Sequence, residues 1–200
     1  MRKGLCLLSM CLLMTTILSA QSSPSAERGG VTIWVGGEFS FFNPDYGCSS
    51  GGLFSCGTNS LLGIGTFGDF NHLFLPRLGA EAEARFLHWS GPDGLSENTY
   101  LFGPRYTAWR YKGVLNLDAK VLVGSGHINL PNHGLGEGNY FVYAPGLTAD
   151  FRLSRRWSAR VGYEYQLWPG FEGVATSFTS GTGGIQPNGL SVGMSYAVLR

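Results

Sequence analysis

Alternation of apolar and polar residues, a regular succession of long and short connections, and strand faces of opposite chemistry predict an all-β chain. The fold class they indicate is an eight-stranded antiparallel up-and-down transmembrane β-barrel. Apolar residues almost nowhere recur every third or fourth position, so helix is a minor element. Clusters of Gly, Pro, Asn, Asp and Ser separate the alternating runs, and no linker or composition shift divides them.

The spacing places strands at 31–42, 61–71, 77–89, 99–111, 114–128, 140–153, 157–168 and 188–198. The first carries Glu38 and the second Asp69. In the third, "GAEAEARF" sets Glu81, Glu83 and Arg85 on alternate positions, with only Ala82 and Ala84 between them. The fourth carries Arg105, a candidate cross-strand neighbour for these charges. In the fifth, "NLDAKVLVG" opposes Asp118 and Lys120 to Leu117, Ala119, Val121 and Val123. The sixth, "YAPGLTADFRL", opposes Thr148, Asp150 and Arg152 to Leu147, Ala149, Phe151 and Leu153. In the seventh, "RWSARVGYEYQLW", Ser158, Arg160, Gly162, Glu164 and Gln166 share one face; Trp157, Val161, Tyr163 and Leu167 share the other. The eighth is "GLSVGMSYAVLR".

The first, third, fifth and seventh connections are long: "NPDYGCSSGGLFSCGTNS", "SGPDGLSEN", "NLPNHGLGEGN" and "PGFEGVATSFTSGTGGIQP". The other three, "HLFLP", "KG" and "SRR", are short. Strands of a meander alternate in direction, so the long loops gather at one end and the tight turns at the other. A membrane-spanning barrel has this asymmetry, whereas a soluble barrel has no physical reason to keep it.

In water the apolar face would be enclosed, as in a lipocalin. In a bilayer it meets lipid, with Tyr, Trp and Phe at the two interfaces. Strands of about ten residues match a bilayer's thickness. The charged face is then the lumen: Glu38, Asp69, Glu81, Glu83, Arg85, Arg105, Asp118, Lys120, Asp150, Arg152, Arg160 and Glu164. An eight-stranded barrel has an interior just wide enough to be filled by side chains, so mixed signs predict a salt-bridged plug; a narrow, gated ion path is the competing reading.

The chain opens with "MRKGLCLLSMCLLMTTILSAQ", two basic residues before an apolar run that ends in small residues. This is a secretory signal peptide over residues 1–20, with the barrel domain over 21–200. The chain has 14 Lys and Arg against 13 Asp and Glu. The leader removes two of the basic residues, leaving a slightly acidic balance and no nucleic-acid footprint. Cys6 and Cys11 go with the leader, and in an exported protein Cys48 and Cys56 are expected to form a disulfide. No His or carboxylate stands beside them to make a metal site.

The "GAEAEARF" strand, the "YEYQLWP" strand and the terminal "GLSVGMSYAVLR" resemble the OmpA-type eight-stranded outer-membrane β-barrel proteins, across essentially the whole mature chain. The last segment is similar to the assembly signal of such barrels, with Ser191, Gly193, Tyr196 and Val198 at its polar, glycine, aromatic and hydrophobic positions. The resemblance implies insertion in the cell outer membrane, with outer-membrane lipids and the barrel-assembly machinery as partners. It implies a structural anchor, an adhesin or a small porin-like protein, and names no extracellular partner.

Two further motifs are weighed against this. "GIGTFG", Gly63 to Gly68, has the spacing of a dinucleotide-binding turn, but such a turn must open a helix, and here period-two alternation continues through Asp69. Its glycines instead make room for side chains reaching across the lumen. His88, His127 and His133 fall near the long-loop rim, with Ser90, Ser125 and Glu137 nearby in sequence, the residue types a lipid A-modifying enzyme would use. Nothing in the spacing joins them as nucleophile and base. The expectation is an outer-membrane barrel with a structural or surface-interaction role and at most minor porin activity, with no catalytic residue and no cofactor. A lipid A-modifying enzyme and a periplasmic lipocalin-like binder are the alternatives.

Overall fold

The computed structural model describes residues 31–44, 60–73, 75–88, 96–129, 137–171 and 184–200. The expected leader, the Cys48 and Cys56 pair, Ser90 and His133 lie outside the described residues. Eight strands, β1 (Thr32–Asn43), β2 (Leu61–Asn71), β3 (Leu78–His88), β4 (Ser96–Tyr111), β5 (Leu115–Asn129), β6 (Gly138–Arg152), β7 (Trp157–Tyr165) and β8 (Asn188–Leu199), form a closed antiparallel barrel in chain order. Closure comes from β1 pairing with β8, where Glu38 faces Gly193 and Ser40 faces Ser191. No edge strand is left in the ring, which removes the unpaired backbone groups that lipid cannot satisfy.

The short connections are tight because their residues permit it. Between β4 and β5, Lys112 and Gly113 both adopt positive φ, 46° and 67°, the left-handed pair that a two-residue hairpin needs to match strand twist. An irregularity between Thr107 and Trp109 shifts the β4–β5 register. Beyond it Trp109 stacks on Tyr111 at 5.6 Å.

Two strand limits differ from the sequence reading by three residues, and the others agree to within two. β4 begins at Ser96 rather than 99, because Ser96 and Glu97 pair with β3 at His88 and Leu87 and with β5 at Asn129 and Ile128. β7 ends at Tyr165 rather than 168. The described residues just beyond it keep only single bridges, Tyr143 to Leu167 and Trp168 to Ile185, as the chain approaches Pro169.

The outward face is apolar along its length, with Phe39, Ile64, Phe102, Val121, Leu147 and Val192 exposed. Aromatic residues stand toward both ends of this band. Trp109, Tyr111 and Trp157 lie toward the short turns, and Phe41, Phe86, Tyr100 and Phe141 toward the long loops. The enclosed face holds the buried charges. This is the reverse of a water-soluble barrel and the polarity of a transmembrane one.

Candidate functional site

The lumen is layered along the barrel axis. The layer nearer the short turns is built from β2, β3, β4, β5, β6 and β7. Arg105 reaches Asp118 at 2.6 Å and Glu81 at 3.3 Å, and pairs with Asp69 and Asp150 as well. Arg160 bonds Asp150 through Nε at 2.8 Å, approaches Glu81 at 3.3 Å and pairs with Asp69. The Arg160 guanidinium also lies 3.9 Å from the centroid of Phe67, a cation–π contact in a desolvated setting.

Above it, β1, β3, β5 and β7 supply a second ionic layer. Arg85 bonds Glu164 at 2.8 Å and Glu38 at 3.0 Å, pairs with Glu83, and stands 4.5 Å over the ring of Phe42. Lys120 donates to Glu81 and Glu83, each at 2.7 Å, and reaches Glu164 at 3.1 Å. Glu81 thus ties the two layers together, meeting Lys120 in one and Arg105 and Arg160 in the other.

Toward the long loops the lumen changes character. Gln166 donates to Glu164 at 2.8 Å and accepts from the Trp168 indole at 2.9 Å, so one amide joins the charges to the tryptophan. Trp168 is fully buried among Phe42, Leu61, Leu87, Leu122, Ile128 and Val142. A β-carbon on Gly126 would come within 2.1 Å of the Trp168 ring, so only glycine leaves that ring its seat. The alternation read from the sequence put charges and glycines on the lumenal face and did not foresee this apolar plug. It sits on the same face because most inward positions near the loops are Leu, Ile, Val and Phe, which close the barrel without needing partners.

Eleven of the twelve charges expected in the lumen lie there, mixed in sign and in mutual contact. Arg152 does not join them. It keeps inward parity but lies at the end of β6, exposed and without a carboxylate partner among the described residues. Glu97 falls before the start that the sequence pattern gives the fourth strand, and it is fully buried on the inner face of β4. Gln166 and Trp168 were readable as inward-facing from the parity of Glu164, though not as a seal.

In "GIGTFG", Gly63 and Gly65 have inward parity, while Gly68 falls on the outward face beside Phe67 and Asp69, which point in. Of the terminal segment, Ser191 and Gly193 face the lumen, and Tyr196 and Val198 face out. Tyr196 packs edge-on against Trp157 at 5.1 Å and accepts a hydrogen bond from Arg156 at 2.8 Å. His127 lies on the outward face and meets the Asn139 amide oxygen at 3.1 Å. His88 is likewise outward, and Glu137 is exposed; among the described residues no hydrogen bond joins His127 to Ser125 or Glu137.

No family model matches this chain, and no curated protein does. Among solved structures it is similar to Neisserial surface protein A, at a TM-score of 0.54 and 8% identity over 83% of this chain and 96% of that one. The attachment invasion locus protein Ail of Yersinia pestis gives a TM-score of 0.48 at 13% identity, covering 84% and 97%. The outer membrane protein OprG of Pseudomonas aeruginosa gives 0.49 at 13% identity, covering 84% and 96%. The similarity to the Neisserial protein is one of fold, a closed antiparallel transmembrane β-barrel of eight strands.

Proposed function

We propose that this chain is an integral outer-membrane barrel with a structural or surface-interaction role, at most minor porin activity and no enzymatic one. The observation that carries this reading is the filled lumen. Among the described residues two layers of ion pairs lie under an apolar plug closed by Trp168, the packing of a barrel filled by side chains rather than of an open diffusion pore. The outward apolar band supports insertion in lipid. The name of the Neisserial protein of similar fold, a surface protein, is in keeping with it. Outer-membrane lipids are the expected surroundings, the barrel-assembly machinery the expected partner during biogenesis, and no cofactor is called for.

The test is fractionation of expressing cells followed by planar-bilayer recording of the purified protein. Recovery only with detergent, and no large steady current, is the expected result. Recovery from a detergent-free soluble extract would remove the membrane reading. Large steady currents would remove the plug.

A further inference from the structure

Beneath the ionic layers, at the short-turn end, the barrel encloses a cavity of about 280 Å³. Five arginines line it: Arg77, Arg105, Arg110, Arg152 and Arg200. Its three aspartates, Asp69, Asp118 and Asp150, are each already engaged by Arg105 or Arg160. Arg110, Arg152 and Arg200 therefore face the cavity with no carboxylate partner among the described residues. Arg110 donates to the Asn116 amide oxygen at 3.2 Å, and Arg200 to the Arg155 carbonyl at 2.7 Å, both neutral acceptors. Arg110 and Arg200 are close enough to Arg152 to act on it electrostatically, so three like charges crowd one mouth. The turns beyond continue the sign, with Lys112, Arg155 and Arg156 and no acidic residue among the described residues of those turns.

Chains that fold into barrels do not need arginines turned inward at a mouth; a serine or asparagine there would be solvated without repulsion. Guanidinium groups converging from β4, β6 and the end of β8 are the arrangement that recognises a tetrahedral oxyanion, because each planar fork can give two parallel N–H bonds to a pair of its oxygens. We propose that this vestibule is a binding site for a phosphate group, held by Arg110, Arg152 and Arg200. The cavity has room for one such group. The group has two possible sources, free phosphate and the headgroup of an anionic phospholipid in the leaflet beside the turns. The phospholipid source rests on the membrane reading above, and the free anion does not.

The experiment uses the folded full-length barrel in zwitterionic micelles. Inorganic phosphate is titrated calorimetrically, and in parallel phosphatidylglycerol or phosphatidylcholine is added and retained adducts are counted by native mass spectrometry. Saturable one-to-one binding of phosphate, of phosphatidylglycerol in preference to phosphatidylcholine, or of both, weakened at least tenfold in Arg110→Gln/Arg152→Gln, is the expected result; the probe that binds identifies the source. Both positions are exposed, so the double variant should fold, and the heat-dependent gel shift confirms that it has. Lys112→Gln, on the turn outside the cavity, should bind as the wild type does. Absence of binding by either probe, equal binding in the double variant, or equal loss in Lys112→Gln would each overturn the site. Fractionation, which tests the membrane reading, is independent of all these arms.

Discussion

At the scale of single residues the lumen is unbalanced in a way that fixes which substitutions matter. Seven carboxylates, Glu38, Asp69, Glu81, Glu83, Asp118, Asp150 and Glu164, share four cations, Arg85, Arg105, Lys120 and Arg160. Each cation is therefore the centre of a group of acids, and Arg105 alone meets four of them. Arg105→Met should leave those buried acids short of compensation and cost about 3–5 kcal/mol. Glu83→Gln keeps the shape of the side chain and removes one charge from a neighbourhood where Glu38 and Glu164 already repel it. Its cost should stay below about 2 kcal/mol, that of a weakened hydrogen bond. A urea titration of the compact gel band of both variants checks this. An equal or reversed order would mean that the network is not short of positive charge.

At the scale of elements, strands and faces were legible because a barrel strand has one period and two environments. The third strand's Glu81, Glu83 and Arg85 announced the lumen by themselves. Partners were not legible: Arg85 meets Glu38 on β1 and Glu164 on β7, contacts made across the barrel and set by closure and register, which no local pattern encodes. The apolar plug was hidden for a related reason, since Leu87, Leu101 and Leu122 face inward on strands whose outward residues are also apolar, which erases the alternation. β7 shows what a local ending does to its neighbour. Its ladder to β6 stops at Gly146 facing Glu164, and beyond it, among the described residues, only the Tyr143–Leu167 pair joins β6 to the chain after β7. Tyr143 donates to Leu167 at 3.0 Å, so by the alternation of an antiparallel strand the amides of Asn139 and Phe141 point the same way, while those of Tyr140 and Val142 point to β5. Hydrogen exchange should be faster at Asn139 and Phe141 than at Tyr140 and Val142. Equal protection of all four would show that the chain following β7 covers that edge.

Trp168 connects element to lumen. It is fully buried, and the ring rests on Gly126. Trp168→Ala should open a cavity among Leu61, Leu122 and Val142 and cost about 3–5 kcal/mol. Gly126→Val should disturb the same ring without removing it, visible as a changed tryptophan emission in a barrel that still shifts on heating. If emission is unchanged in Gly126→Val, the ring does not sit in the lumen as described.

At the scale of the whole molecule, closure and polarity together decide the medium in which the fold is stable. Every strand has a neighbour on each side, so opening the ring means breaking a ladder along its length, and unfolding should be cooperative. An unboiled sample in SDS should therefore stay compact and migrate apart from a boiled one. That assay then reports on polarity. Leu147 is 61% exposed on the outward face of β6, in the part of the strand paired with both β5 and β7. If this face meets hydrocarbon, Leu147→Lys should destabilise the barrel in phospholipid bilayers by about 2–4 kcal/mol, the range for a cation at mid-depth. Lysine at Val198, near the short-turn end and 46% exposed, should cost about 0–1 kcal/mol, because its ammonium can reach the interface. The gradient between the two positions is the informative quantity. Were the outer face bathed in water, lysine would be harmless at both and the gradient would vanish, and with it the assignment of inside and outside on which the membrane reading stands.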